Sequence, residues 1–237
     1  MAQLSIKYYS KALNRNIRFE MYIPNDKPRE DTQKMRTVFL LHGYTGDAGN
    51  WIPEDLMQKY NFAVIAPNGE NGFWLDGLST TRKYCTFVGA ELVDYVRRTF
   101  RLALSPADTY IMGLSMGGFG ALHTAFAFPD NFGKVAAMSS ALIVHEIAGM
   151  KPGEDNGTAN YDYYHECFGD LDSVLESDSN PEVLVKRLHD SSKKIPEILM
   201  SCGTEDISHT YLESSGSHDM DFWNEYTRRF IDSMFAD

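Results

Sequence analysis

One serine stands where a serine can become a nucleophile. Ser115 is the centre of Gly113, Leu114, Ser115, Met116 and Gly117, a G-x-S-x-G pentapeptide. The run Thr109, Tyr110, Ile111, Met112 before it is apolar and rich in strand formers. Residues 119–128 after it keep apolar side chains at helical spacing. The serine therefore sits at a strand-to-helix corner. Such a turn needs small neighbours so that backbone can pass close by, and Gly113, Gly117 and Gly118 supply the room. The corner also lifts Oγ off the sheet and aims the first N–H groups of the helix at the place where an oxyanion would form. A glycine-rich turn without chemistry is the plain alternative for the pentapeptide alone, so its partners matter. Serine is a poor nucleophile until a base takes its proton, and that base is usually a histidine held by a carboxylate.

In an open parallel sheet, reacting groups gather beyond the carboxyl ends of the strands. His42 and Ser115 follow strand-like runs directly, as do Glu205 and Asp206, and His218 lies in the loop after the last strand candidate. The chain has seven histidines to weigh as the base. His123 lies inside a helical pattern and reads as packing. His145, His165 and His189 fall in a polar stretch and read as solvated surface. His209 begins a strand candidate. His42 is in the right region, but its loop is better used for backbone donors. His218 follows Ser214, Ser215, Gly216 and Ser217, a small-residue loop before a helix, from which a base can reach over the sheet. Glu205 and Asp206 compete for the acid, and the residues alone leave both open.

The elements that must position these groups read as follows. Residues 5–10 and 17–23 form an antiparallel hairpin at a sheet edge, the second strand alternating Ile17, Phe19, Met21 and Ile23 with polar neighbours. Residues 24–35 are charged and proline-bearing, a surface loop. Continuous apolar runs at 37–41 and 62–66 are strands buried on both faces. A short helix lies between them at 51–60. Residues 84–100 place Tyr84, Val88, Leu92, Tyr95, Val96 and Thr99 on one stripe of an amphipathic helix. After the nucleophile corner come strands at 134–138 and 195–201, a last strand candidate at 209–213, and a terminal helix at 219–235. The intervening stretch 139–194 is acidic and polar, with helical pieces at 161–168 and 181–189. It is too polar for a core of its own and reads as a cap insert. Strands alternating with helices point to an α/β fold, a mostly parallel sheet with helices on both faces, in one domain spanning 1–237.

Composition narrows the function. Of 237 residues, 43% are apolar, enough for a sizeable core. The formal charge is −11 and no basic cluster offers a footprint for a phosphate backbone, so no nucleic acid partner is expected. Nothing approaches a membrane span or a signal-peptide core. The three cysteines, Cys85, Cys167 and Cys202, form no CxxC pair and suit a reducing compartment, so a cytoplasmic location is expected. No HExxH motif or spaced Cys/His cluster is present, so no metal is expected. The oligomeric state is left open.

Five motifs carry a family resemblance: LLHGYTGD at 40–47, APNGEN at 66–71, GLSMGGFGAL at 113–122, CGTED at 202–206 and GSHDMDFW at 216–223. Together they span nearly the whole chain. The chain resembles the esterase D family of α/β-hydrolases, which holds tributyrin esterases, S-formylglutathione hydrolases, feruloyl esterases and mycolyltransferases, and is closest to the tributyrin-esterase branch. The resemblance implies Ser115 as nucleophile, Asp206 as acid and His218 as base, the chain order of that fold. It implies backbone N–H groups of Tyr44 and Met116 as the oxyanion hole. It implies a serine carboxylesterase that cleaves short acyl or aryl esters, including hydroxycinnamoyl esters, through an acyl-enzyme and without a cofactor. A thioesterase such as S-formylglutathione hydrolase, an acyltransferase, and a non-catalytic binding protein on the same scaffold are the alternatives.

One feature departs from the family pattern. Asp206 and His218 are twelve positions apart, and only the six residues 203–208 separate the strand runs 195–201 and 209–213. A crossover between parallel neighbours takes a dozen or more. The spacing therefore predicts either an interrupted chain between Asp206 and His209 or a last strand that is shifted or lost.

Overall fold

The structure is a computed structural model, which describes residues 1–24, 35–49, 51–203, 213–214 and 217–235. Strands β1 (Ala2–Ser10) and β2 (Arg15–Ile23) pair antiparallel, with Tyr8 opposite Ile17. Ile17, Phe19 and Met21 are buried, as their alternation predicts. Strand β1 begins at Ala2 rather than at residue 5, because the backbone ladder continues past the apolar pattern. The expected surface loop at 24–35 lies mostly outside the described residues.

Uninterrupted apolar runs become the central strands. These are β3 (Thr37–Leu41), β4 (Ala63–Pro67), β5 (Thr109–Leu114) and β6 (Lys134–Met138). Helix α1 (Glu54–Tyr60) joins β3 to β4. Residues 84–100 are helical throughout: α2 (Tyr84–Thr86), a π-helical stretch at Phe87–Leu92, and α3 (Val93–Phe100). The wider π turns shift the register of the buried face. Phe87, Val93 and Val96 are buried, whereas Thr99, placed on the inner stripe by a strict helical period, is exposed. Helix α4 (Met116–Ala127) follows β5, and nearly all of it is buried.

Between β6 and β7 (Glu197–Gly203) the chain forms α5 (Val144–Ile147), α6 (Tyr161–Phe168) and α7 (Pro181–Asp190), with no strand of the sheet. Asn160 and Asn180 cap α6 and α7 with their side-chain oxygens. Strand β8 (Glu213–Ser214) and helix α8 (Met220–Phe235) end the described chain.

The eight strands run in the order β1-β2-β4-β3-β5-β6-β7-β8, parallel from β4 to β8. Alternate residues feed two cores. Phe39, Leu41, Ile65, Ile111 and Val135 face α3 and α4, while Val38, Leu40, Val64, Tyr110 and Met112 face α1 and α8. This is the expected α/β architecture.

The place of the expected interruption, Asp206 to His209, lies outside the described residues. Strand β8 lies parallel to β7, with Cys202 opposite Glu213 and Gly203 opposite Ser214. The pairing involves only the last two residues of β7. Of the last strand candidate at 209–213 the described residues include only Glu213, which with Ser214 forms β8.

Candidate active site

The corner at Ser115 forms because backbone groups overdetermine it. Ser115 takes φ 52° and ψ −120°, a conformation that only a few per cent of non-glycine residues share. Its N–H donates to the Met138 carbonyl at 2.9 Å, and its own carbonyl accepts from Phe119 and Ala141, each at 3.1 Å. These three bonds hold the strain in place. A Cβ on Gly113 would lie 2.0 Å from the Gly117 carbonyl oxygen, and one on Gly117 would lie 2.1 Å from that of Leu41. Both glycines are thus required by close backbone approach.

Across the corner, His218 Nε2 lies 3.0 Å from Ser115 Oγ. A serine hydroxyl that donates to Nε2 leaves the ring proton on Nδ1. Local structure holds the ring. Asp219, the next residue, accepts at Oδ1 from the Phe222 N–H at 3.0 Å and so caps the start of α8. The Trp223 ring meets the imidazole edge-on at 4.9 Å. Glu205, Asp206 and His209 lie outside the described residues.

The loop after β3 closes the third side. The Gly46 N–H donates to the Gly43 carbonyl at 3.1 Å, and the Thr45 N–H donates to Asn71 Oδ1 at 2.9 Å. His42 ties this loop to the one after β4. Its Nδ1–H donates to the Gly43 carbonyl at 2.8 Å, and its Nε2 accepts from the Gly69 N–H at 3.0 Å. The Trp74 indole N–H donates to the His42 carbonyl at 3.2 Å. Burial lowers the His42 pKa, so the ring is neutral, and both nitrogens are occupied by backbone. His42 braces the loop and is not the base. Tyr44 sits at the centre of this turn and Met116 at the first position of α4. Among the described residues, neither backbone N–H makes a hydrogen bond.

The other described histidines are accounted for elsewhere. His123 is buried in α4, where its Nε2–H donates to the Asp178 carbonyl at 2.8 Å and its Nδ1 accepts from the Cys85 thiol at 3.4 Å. His145 faces Glu182 at 3.3 Å, His165 donates to the Gly169 carbonyl at 2.9 Å, and His189 is exposed beside Asp190.

A cavity of about 490 Å³ opens over Ser115 and His218. Tyr44, Trp51, Phe73 and Trp223 give it aromatic walls. The 139–194 stretch supplies a polar wall with Glu146, Asn156 and Thr158. Asn156 Oδ1 accepts from the Tyr164 hydroxyl at 3.3 Å. Tyr44 and Trp223 stand inside motifs, whereas Glu146, Asn156 and Thr158 were identifiable from neither motif nor spacing. Asn71 was inside a motif, but its task of holding the Thr45 N–H shows only in space. Among the described residues, no His/Cys/Asp/Glu group could hold a metal, and no helix is long and apolar enough to cross a membrane.

The family model described as putative esterase matches residues 10–223. The chain belongs to that esterase family. An acetyl esterase of Caldicellulosiruptor saccharolyticus is 38% identical to this esterase, and the match covers 95% of each chain. Two solved structures share the fold. A fluorophosphonate-binding serine hydrolase of Staphylococcus aureus superposes with a TM-score of 0.84 at 24% identity, covering 100% of the esterase and 99% of that chain. An S-formylglutathione hydrolase of the same organism gives 0.81 at 23% identity, covering 99% and 98%. The esterase is an ester hydrolase by its family and shares the fold of both structures.

Proposed function

We propose that Ser115, His218 and Asp206 form the catalytic triad of a carboxylesterase, with the backbone N–H groups of Tyr44 and Met116 as its oxyanion hole. The observation that carries this reading is the 3.0 Å approach of His218 Nε2 to Ser115 Oγ on the strained corner. His218 takes the serine proton as Oγ attacks the ester carbonyl, and the two N–H groups hold the oxyanion of the tetrahedral intermediate. The alcohol leaves with the proton that His218 returns. Water then attacks the acyl-enzyme, His218 again acting as base, and the carboxylic acid departs. Asp206 is the acid by family motif and holds the imidazole through Nδ1–H. No step calls for a cofactor.

The substrate is an ester of a short acyl or aryl acid, an acetyl ester foremost, and the 38% identical acetyl esterase supports that choice. The enzyme belongs with the tributyrin-esterase branch of the esterase D family, on the motifs at 40–47, 113–122 and 216–223. Residues 1–237 act as one domain, with about 139–194 as a cap that walls the cavity. Three buried thiols suit a reducing, cytoplasmic setting.

Ser115→Ala tests the reading. Turnover of p-nitrophenyl acetate falls to background in a folded variant, and a fluorophosphonate probe labels Ser115 in the wild type but leaves the variant unlabelled. Undiminished hydrolysis in folded Ser115→Ala would overturn the assignment.

A further inference from the structure

We infer that Glu146 makes the enzyme select esters by the charge of the alcohol portion, accepting neutral and cationic leaving groups and rejecting anionic ones. This rests on the reading of Ser115 and His218 as the reacting pair. A short acyl group fills only a small part of a cavity of about 490 Å³, so the remaining room faces the alcohol portion of the ester.

The charge in that room is one-sided. Glu146 lines the cavity from α5, is exposed, and makes no ion pair among the described residues. Among the described residues, no lysine or arginine lines the cavity. The cation nearest in the chain, Lys151, is engaged with Asp172 at 2.5 Å. His145, the neighbour of Glu146, faces Glu182 at 3.3 Å. The field of Glu146 reaches into the site. Burial raises the Tyr164 hydroxyl pKa, the Asn156 hydrogen bond opposes the rise, and the Glu146 charge adds to it. The rest of the described lining carries neutral polar groups, among them the Asn156 and Thr158 side chains, and the aromatic Tyr44, Trp51 and Trp223.

An anionic leaving group would therefore meet a like charge with no counter-ion. A neutral hydroxyl-bearing alcohol finds hydrogen-bond partners, and a cationic one finds a carboxylate and aromatic faces. The formal charge of −11 adds a same-sign field on approach. A thioester of a peptide carrying two carboxylates, the kind of substrate that the name S-formylglutathione implies, is disfavoured by the same argument.

The test uses three acetate esters matched in shape: 3-acetoxybenzamide (neutral), 3-acetoxybenzoate (anionic) and 3-acetoxyphenyl-trimethylammonium (cationic), with rates normalised to alkaline hydrolysis. In the wild type at low salt, kcat/KM for the neutral ester exceeds that for the anionic ester by about three- to tenfold, the size expected of one unscreened charge at a solvated wall. Glu146→Gln brings the ratio towards one, whereas Glu146→Asp, which keeps the charge, keeps most of it. Salt at 0.5 M narrows the wild-type ratio, since the Debye length shrinks well below 10 Å. A ratio unchanged in Glu146→Gln, with all three esters still hydrolysed, would overturn the inference while leaving the Ser115 reading intact. Failure of the wild type to hydrolyse any of them, with no fluorophosphonate adduct at Ser115, would overturn the reading beneath it.

Discussion

At the scale of the residue, the site depends on side chains that do no chemistry themselves. Asn71 accepts the Thr45 N–H at 2.9 Å, and Thr45 holds a positive φ of 62° next to the proposed donor Tyr44. Removing that acceptor lets the turn relax, and the Tyr44 N–H loses its aim. Losing an oxyanion donor outright costs about 10²–10³ in rate, so a misaimed one costs less. Asn71→Ala is expected to lower kcat about tenfold while KM stays within about twofold, as measured by steady-state kinetics on a short acyl ester. A change confined to KM would show that Asn71 serves binding instead. Gly117 is constrained differently. A Cβ there would lie 2.1 Å from the Leu41 carbonyl oxygen, and backbone cannot move aside as a side chain can. Gly117→Ala should destabilise the fold by about 3 kcal/mol, the upper range for overpacking, read from urea unfolding. A variant of wild-type stability would mean that β3 and α4 can separate without cost.

At the scale of the element, the base is delivered by the start of a helix. His218 directly precedes α8, and Asp219 caps that helix through the Phe222 N–H at 3.0 Å. Helix α8 in turn is anchored by Phe222, Tyr226, Phe230 and Ile231, all buried against the β-sheet. The rigidity of the helix therefore reaches the imidazole through one cap and one ring contact, with Trp223. Asp219→Ala should lower stability by about 1 kcal/mol, the usual worth of an N-cap, and reduce kcat several-fold as His218 gains freedom. Asp219→Asn keeps the acceptor and should restore both. If Asp219→Ala lost stability with kcat unchanged, the cap would not be what orients the base.

At the scale of the whole molecule, legibility followed the range of the forces. Strands β3 to β6 could be read because each is an apolar run buried on both faces, and the Ser115 corner because its glycines are demanded locally. The exposed Thr99 could not be read, since π turns displace the helical period. Nor could α5, four residues with too little length to show periodicity, and so Glu146 went unseen. The β8 pairing could not be read because strand register is a tertiary choice, here made at Cys202 and Gly203 alone. Global burial also sets how stability responds to acid. His42 and His123 both have pKa values lowered by burial, and each is neutral with its ring nitrogens hydrogen-bonded. The unfolded chain takes up protons on these rings near pH 6.5 while the folded chain does not. Their contribution is therefore complete above about pH 6.5 and is lost as pH falls below it, towards their folded pKa values. Carboxylates held low by partners, such as Asp178 beside Arg187, act in a separate window below about pH 4. Urea midpoints should accordingly fall between pH 7.5 and pH 5.5, and the fall should be smaller in His123→Gln, which cannot protonate. An equal fall in both proteins would mean that His123 is not held neutral in the folded state.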